Sequence, residues 1–450
     1  MYWRIVELQV VILAGGKGRR IFPLSVDKPK PMFKVIGKPL IQHVIENLKE
    51  AGLREFVVVI GHNGEQIRDF LKNGAWLDVN IQYAFQEKEL GMADALKSAE
   101  DLVEDYFFVV NADDIYESRL LESMEKAFKE SGTEAVLAYK PVEETWKYGI
   151  VDVKDGRVVR LIEKPPRGEE PTNFAVIGAY ILAKKILDYY KRLPVSDHQY
   201  EDAIQAFIED GNPVRGVFYD GFFATYKYPW DLFTLTEYLM DRKITCPSYG
   251  EDVLISERAC LEGNVWLGDG TRVFEGACIR GPCYVGRNCV VGNNSLIWNY
   301  SSIGDNCVIG YSSEIKHSII GDYCWFHSNY IGDSIISDNC SFGAGTVTAN
   351  FRFDESTIKL NIDGEIVDSG RMKLGVIMAD NCKTGINSCI IPGVRVGPHS
   401  IIGPNVTLDQ DLEPNTIIFV DKKSYIKKEN TITVTTEVKE KLREKLLKYK

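Results

Sequence analysis

A glycine-rich stretch near the N-terminus is the part of this chain best suited to phosphate chemistry. It reads Leu13-Ala-Gly-Gly-Lys-Gly-Arg-Arg20, follows an apolar run over 10–13, and precedes a second cationic stretch, Lys28-Pro-Lys-Pro31. Glycines just past a buried strand let backbone N–H groups close on phosphate oxygens, and a following helix start favours negative charge. The stretch matches neither the P-loop nor the dinucleotide-binding pattern. It therefore predicts a nucleoside triphosphate site of another type.

The composition limits the classes of protein to be considered. The chain has 450 residues, 45% of them hydrophobic and 26% charged, with a formal net charge of −11. This length predicts two or three domains. The acidic balance disfavours a general role on nucleic acid or an anionic membrane. No apolar run reaches the ~18–20 residues that span a bilayer, and the first residues lack a signal-peptide pattern. We therefore expect a cytoplasmic protein that binds neither nucleic acid nor membrane.

Residues 1–245 must position the glycine-rich stretch. Strand-like apolar runs at 10–13, 56–60, 107–110 and 135–138 alternate with helix-like stretches such as 40–51. This alternation predicts an α/β, Rossmann-like sheet whose ligands bind at the carboxyl ends of its strands.

A six-residue period begins at about residue 255. Apolar residues recur every six positions from Val285 to Ile315, and several are followed by Gly; the same spacing returns at Val396-Gly397 and Ile402-Gly403. This hexapeptide pattern predicts a left-handed parallel β-helix over 255–410, with the apolar residue inward and Gly permitting a tight corner. A charged segment at 351–372 predicts a loop that leaves the β-helix.

The cysteines and the tail complete the organisation. Five cysteines each lie two residues before an inward apolar residue, where the hexapeptide pattern takes a small residue, and no Cys-x-x-Cys occurs. We therefore interpret them as small apolar residues rather than metal or redox groups. The five cysteines are Cys283, Cys289, Cys307, Cys324 and Cys340.

The tail, 411–450, predicts a surface helix with Val438, Leu442 and Leu446 on one side.

The glycine-rich stretch resembles the signature of sugar-1-phosphate nucleotidylyltransferases, L-A-G-G-x-G-T-R-L followed by P-K-P. Arg19 stands here where that family usually has Thr. The resemblance extends over about 9–240 and implies attack of a sugar-1-phosphate on the α-phosphate of a nucleoside triphosphate, UTP or dTTP, with release of pyrophosphate. It places charge neutralisation on Arg20 and Lys30, and Mg²⁺ on Asp113. The implied nucleotide-binding residues are Leu13, Ala14, Gly15, Gly16, Lys17, Gly18, Gln86 and Gly91, and the implied sugar-phosphate residues are Gly149, Glu163 and Lys164.

Three positions depart from that family. Thr225 stands where a second metal-binding Asp is expected, Lys227 where Gly is usual, and Val176 where an Asn lies beside the sugar. A Thr hydroxyl is a poorer Mg²⁺ ligand than a carboxylate. Two interpretations therefore stay open: an enzyme, or a non-catalytic regulatory or assembly subunit of the same architecture.

The repeats contain a second candidate site. His327-Ser-Asn-Tyr330 and the later Asn350 resemble the acetyltransferase half of bifunctional N-acetylglucosamine-1-phosphate uridylyltransferases and their archaeal counterparts. The resemblance implies acetyl-CoA as co-substrate and an amine acceptor on a sugar phosphate, with His327 as the base that takes the amine proton. It also implies a homotrimer or a dimer of trimers. The other implied site residues are Lys316, Tyr330, Ala344, Asn350 and Lys359, while Ser341 and Ser356 replace expected Asn and Lys.

Overall fold

The computed structural model describes residues 8–88, 90–196, 198–421, 428–429 and 436–447. The chain folds into an α/β part followed by a parallel β-helix. Across those ranges, none of the helices combines the length and apolar character that crossing a bilayer requires.

A nine-stranded mixed sheet forms the centre of the α/β part, in the order β3-β2-β1-β4-β8-β5-β9-β7-β6. Strands β1 to β4 are parallel, and alternate residues of β1 enter apolar clusters on opposite faces of the sheet. Burial on both faces explains why these strands are continuous apolar runs in the sequence. Strands β1 to β9 are Gln9–Ala14, Glu55–Ile60, Asn80–Phe85, Tyr106–Asn111, Ala135–Pro141, Gly149–Lys154, Arg157–Glu163, Phe174–Ala183 and Val214–Phe218.

Seven helices flank the sheet or follow it within the described α/β residues. The predicted strands and the predicted helix at 40–51 are confirmed. Short 3-10 helices at Arg19–Ile21 and Lys30–Met32 carry the two cationic stretches, and a two-stranded ribbon pairs Asp114–Tyr116 with Phe223–Thr225. Helices α1 to α7 are Leu40–Glu50, Gly64–Leu71, Met92–Ser98, Ser118–Ser131, Ile186–Arg192, Gln199–Glu209 and Asp231–Lys243.

The β-helix has three faces of short parallel strands. The first face contains Ser248–Tyr249, Val265–Leu267, Cys283–Val285, Ser302–Ile303, Ile319–Ile320, Ile335–Ile336, Ile377–Met378 and Arg395–Val396. The second contains Leu254–Ile255, Arg272–Val273, Val290–Val291, Val308–Ile309, Trp325–Phe326, Ser341–Phe342, Lys383–Thr384, Ile401–Ile402 and Ile417–Ile418. The third contains Cys260–Glu262, Cys278–Arg280, Leu296–Ile297, Glu314–Lys316, Tyr330–Gly332, Val347–Thr348, Cys389–Ile390 and Thr407–Leu408. These strands run from Ser248 to Ile418, a longer span than the 255–410 expected from the repeats.

The glycines of the repeats serve a different purpose from the one predicted. A Cβ on Gly286 would lie 2.6 Å from the backbone of Gly304 in the next coil, and Gly286 does not have a positive φ. The left-handed backbone is adopted instead two residues later, at Asn288 (φ 54°) and Asn306 (φ 58°). Gly is therefore required for close stacking of coils, whereas Asn, which tolerates this backbone region, makes the turn.

The interior of the β-helix contains the column of cysteines. All ten cysteines of the chain lie in the described ranges and are free, and the five predicted inward ones are buried. The Sγ atoms of Cys289, Cys307 and Cys324 each lie 3.1 Å from a carbonyl oxygen of the next coil. Their interpretation as small apolar residues is confirmed.

The charged segment at 351–372 leaves the β-helix, as predicted, and contains a hairpin of Lys359–Ile362 with Glu365–Asp368. Two buried residues, Ile358 just before the hairpin and Leu360 within it, share an apolar cluster with the α/β part. That cluster also includes Ile319 and Ile335, so the first β-helix face packs on the α/β part. Helix α8 spans Glu437–Leu447. The side chains of Val438, Leu442 and Leu446 lie outside the described residues, so their predicted stripe stays a prediction.

Candidate active sites

The glycine-rich stretch lines a cavity of about 720 Å³ near the carboxyl ends of β1 and β4. The structure brings to this one cavity the predicted nucleotide-binding residues, the two predicted charge-neutralising residues and the predicted metal-binding residue. They are Leu13, Ala14, Gly15, Gly16, Lys17, Gly18, Arg20, Lys30, Gln86, Gly91 and Asp113.

Gln86 and two glycines shape one side of the cavity. Gln86 is buried, and its Nε2 donates to the Gly91 carbonyl oxygen at 3.2 Å and to Asp94 Oδ2 at 2.9 Å. A Cβ on Gly15 would lie 2.6 Å from Gln86 Oε1. Gly91 has φ +101°, which favours glycine. A side chain at either glycine would therefore displace Gln86 or strain the loop that holds it.

The cavity concentrates positive charge. Burial lowers the pKa of Lys227, and the nearby cations Arg20 and Lys164 lower it further. A cluster of cations in a partly buried cleft creates a field that attracts a polyanion. The cations that line the cavity are Lys17, Arg19, Arg20, Lys30 and Lys227.

Lys30 forms an ion pair with Asp113 across this cavity. Its Nζ also lies 5.5 Å from the centre of the Tyr226 ring. Asp113 follows the end of β4, where its carboxylate faces the space that the glycine-rich stretch encloses. The pair places a cation and an anion side by side in the cavity.

Asp114 is a functional candidate that the sequence reasoning missed. Its carboxyl is fully buried, and burial, followed by the charge of Asp113, raises its pKa to about 7. Thr225 lies in register with Asp114 across the ribbon, and its side chain offsets part of this rise in pKa. Among the described residues, Asp114 Oδ1 has no hydrogen-bond partner. The sequence signal was the second Asp of Ala112-Asp-Asp114.

These residues fit a hard divalent cation. Mg²⁺ is bound in proteins through one or two carboxylates together with substrate phosphates. Asp113 supplies one carboxylate in the cavity. The unpartnered Oδ1 of Asp114 is a second carboxylate oxygen, and it lies beside Thr225, the position at which a second metal-binding Asp was expected.

The predicted sugar-phosphate residues lie beside the cavity and do not line it. Gly149 and Glu163 are paired across β6 and β7, and a Cβ on Gly149 would lie 2.8 Å from Glu163 Oε2. Lys164 lies 3.4 Å from Glu163. Tyr148 and Val176 line a neighbouring recess of about 320 Å³ that also contains Thr225 and Asp231.

Tyr330 and Asn350 of the β-helix are brought together. Asn350 Nδ2 donates to the Tyr330 hydroxyl at 3.3 Å and to Asp333 Oδ2 at 2.5 Å. Lys316 lies on the adjacent strand, with its Nζ 5.3 Å from the Trp298 ring. These side chains form a polar row on the third face of the β-helix.

The other predicted residues of the second site are more dispersed. His327 is exposed, and its ring makes no hydrogen bond within the part of the chain that the structure describes. Ala344 is exposed at a coil corner. Lys359 lines a separate recess of about 230 Å³ with Ile391 and Val394. A single chain therefore does not enclose a complete site around His327.

His317 links this row to the α/β part. Its Nδ1 lies 3.0 Å from Asp333, and its Nε2 lies 2.9 Å from Glu237 of α7. Burial alone would lower the pKa of His317, but the hydrogen bonds to Asp333 and Glu237 raise it. His317 has no local signal in the sequence, because Glu237 is 80 residues away.

Comparisons with known proteins agree with this architecture. The nucleotidyl transferase family model matches residues 9–253, and two hexapeptide models, "Hexapeptide repeat of succinyl-transferase" and "Bacterial transferase hexapeptide (six repeats)", match 300–324 and 375–410. These matches and the three-faced coil confirm the predicted fold class, a nucleotidyltransferase domain followed by a left-handed β-helix.

Similar proteins match both parts of the chain. A "Bifunctional protein GlmU" of Methanococcus maripaludis is 40% identical over 92% of this chain and 97% of its own length. The protein of the same name in Methanocaldococcus jannaschii is 36% identical over 92% and 97%. A "Bifunctional sugar-1-phosphate nucleotidylyltransferase/acetyltransferase" of Sulfurisphaera tokodaii is 29% identical over 90% and 98%.

Proposed function

The chain belongs to the nucleotidyl transferase family, and on this premise we propose that it performs two transfers on sugar phosphates. The α/β part transfers a nucleotidyl group from a nucleoside triphosphate to a sugar-1-phosphate. The β-helix transfers an acetyl group from acetyl-CoA to the amine of an amino-sugar-1-phosphate. The observation that carries the proposal is a cationic cavity lined by all the residues predicted to bind the nucleoside triphosphate and the metal ion.

The first reaction joins two anions, so charge neutralisation and positioning dominate catalysis. A phosphate oxygen of the sugar-1-phosphate attacks the α-phosphorus, the bond from that phosphorus to the bridging oxygen breaks, and pyrophosphate leaves with the electron pair. Lys30, which lines the cavity, is proposed to contact both substrates. Arg20 and Lys227 line the same cavity and balance the charge that develops on pyrophosphate.

Asp113, assisted by Asp114, is the group that would hold Mg²⁺. When bound, the ion neutralises phosphate charge that the cations leave uncompensated. Lys227 takes the position of a family glycine, and its positive charge lies in the cavity from which the second expected carboxylate is missing. This supports a site that relies more on protein cations than on metal.

Gln86 is the residue proposed to read the base. Its buried amide is fixed by Gly91 and Asp94, which leaves Oε1 as an acceptor against Gly15. An acceptor held in place suits the ring N–H of a uracil or thymine, which agrees with UTP or dTTP. Gly149, Glu163 and Lys164 are proposed to contact the sugar phosphate.

The second reaction uses His327 as base. The imidazole takes a proton from the sugar amine as nitrogen attacks the thioester carbon, and the carbon–sulfur bond breaks to release CoA. The exposed ring of His327 supports a site that a second β-helix completes, as expected of a homotrimer or a dimer of trimers. Lys316, Tyr330, Ala344, Asn350 and Lys359 are the proposed remaining contacts.

The test is pyrophosphate release from UTP, dTTP, ATP, CTP and GTP, each combined with glucose-, glucosamine- and N-acetylglucosamine-1-phosphate. We expect release with UTP or dTTP and at least one sugar-1-phosphate. Binding of nucleotide without release in every combination would contradict the enzyme and support the regulatory alternative, which Thr225 and Val176 favour.

A further inference from the structure

The segment that carries Lys30 is attached to the β-helix of the same chain. Lys28 is mostly buried, and its Nζ lies 2.6 Å from Asp338 Oδ2 and 3.3 Å from Asp380 Oδ1. Lys34 forms an ion pair with Asp322. Lys30 lies between these two lysines, at the start of the short helix Lys30–Met32. Carboxylates of the β-helix thus hold the chain on both sides of Lys30.

These carboxylates form a ladder along one corner of the β-helix, here called the carboxylate ladder: Asp305, Asp322, Asp338 and Asp380. The Asp305 N–H donates to Asp322 Oδ1 at 2.9 Å, the Asp322 N–H to Asp338 Oδ1 at 2.7 Å, and the Asp338 N–H to Asp380 Oδ1 at 2.9 Å. Each carboxylate is therefore fixed by the coil before it. A rigid row of anions faces the two lysines.

Two more contacts continue the attachment. The Ile36 N–H donates to Ser302 Oγ at 3.2 Å, and a Cβ on Gly37 would lie 2.1 Å from the Tyr284 hydroxyl. From the hairpin that leaves the β-helix, Asp363 also lines the phosphate cavity. The β-helix thus contacts the segment on both sides of Lys30 and contributes directly to the cavity.

We propose that Asp322, Asp338 and Asp380 belong to the nucleotidyl transfer machinery, because they hold Lys28 and Lys34 as positioning residues that orient Lys30. This rests on the proposed function of the α/β part. Lys28 touches no substrate; it acts through Lys30. A buried lysine with two carboxylate partners has little freedom to move, since leaving them would strand charges away from water. The α/β part therefore depends on the β-helix for its own chemistry.

The test compares Asp338→Asn/Asp380→Asn with Asp305→Asn in the full-length chain. Asn keeps an oxygen for the backbone N–H and removes the charge. Asp305 belongs to the same ladder, pairs with Arg287, and has no partner from the α/β part among the described residues. We expect the double variant to lower kcat for pyrophosphate release by about 10- to 100-fold, because displacements of about 1 Å cost that much. KM for the nucleotide and acetyl transfer should change little, and Asp305→Asn should match wild type.

Lys28→Met approaches the same contact from the other side. It should lower kcat to a similar extent, and adding it to the double variant should give no further loss, because one interaction is removed twice. The proposal would be overturned if the losses in kcat multiplied when Lys28→Met is added to the double variant, or if Lys28→Met had the kcat of wild type. If the double variant does not fold, Lys28→Met and Lys28→Arg decide, since Arg keeps the charge and should retain more activity than Met.

Failure of the proposed function gives a different result. A wild-type chain that releases no pyrophosphate with any substrate pair contradicts the function. If the wild-type chain is active and the Asp338→Asn/Asp380→Asn variant has the same kcat for pyrophosphate release as Asp305→Asn, only the positioning role is contradicted.

Discussion

His317→Asn is expected to weaken the contact between α7 and the β-helix. The imidazole bridges Asp333 and Glu237 at 3.0 and 2.9 Å, and its side chain is only 20% exposed. Each hydrogen bond to a charged group contributes about 1.5–3 kcal/mol. Glu237 is partly exposed, and an Asn amide keeps one bond, so we expect a loss of about 2–4 kcal/mol in the free energy of unfolding near pH 6. Asn also suits the φ of +46° at this corner.

The loss should depend on pH in a defined direction. The pKa of folded His317 is raised above its ordinary 6.5, so its contribution is complete below 6.5 and disappears as pH rises through the folded pKa. Hydrogen bonding to His317 lowers the pKa of Glu237 below 4.5, so that contribution is complete above 4.5 and lost in acid. The difference between wild type and variant should be largest between these ordinary values and shrink in alkali.

Urea denaturation of both proteins at about pH 5, 6, 7, 8 and 9 measures the difference. His399→Asn is the matched control, because His399 also lies at a corner with positive φ and pairs with Asp27 at 3.0 Å on the exposed surface. The free energy of unfolding of His399→Asn should fall by less than about 1 kcal/mol. Equal losses for the two variants, or a His317 difference that is constant across pH, would refute the reasoning.

Three further predictions concern the two sites. Arg20→Ala should lower pyrophosphate release by about 10²–10³-fold with an unchanged circular dichroism spectrum, and equal turnover would show that the glycine-rich stretch is misassigned. Thr225→Asp should raise turnover at low Mg²⁺, with Lys227→Gly added to remove the competing cation, although it should also lower the melting temperature because position 225 faces Asp114; no gain in turnover in either variant would show that the missing carboxylate does not limit metal use. His327→Ala should lower acetyl transfer to glucosamine-1-phosphate by about 10²–10⁴-fold while pyrophosphate release is unchanged, and a parallel loss of both activities would contradict separate sites.

The phosphate cavity could be predicted because its chemistry is local in sequence. The residues of the glycine-rich stretch are contiguous, and their backbone follows a strand whose apolar character is itself visible. The β-helix was equally visible, since a coil that repeats must repeat its sequence. In both cases the pattern itself lies within a few positions of sequence, whereas Gln86 and Asp113 of the same cavity could be predicted only through the family resemblance.

Contacts between distant segments could not be predicted in the same way. Lys28 meets Asp338 across 310 residues, and His317 meets Glu237 across 80. Asp114 gains its unusual environment only when the ribbon brings Thr225 against it. A lone Lys, His or Asp in a sequence is ordinary, and only the packing of the β-helix on the α/β part makes these residues informative.

The most direct test of the account is product analysis of the wild-type chain supplied with glucosamine-1-phosphate, acetyl-CoA, UTP and Mg²⁺, followed by mass spectrometry. We expect free CoA, pyrophosphate and a nucleotide-linked N-acetylated sugar in equal amounts, and we expect the acetylated sugar phosphate to accumulate when UTP is omitted. Release of neither CoA nor pyrophosphate, with dTTP in place of UTP as well, would contradict it.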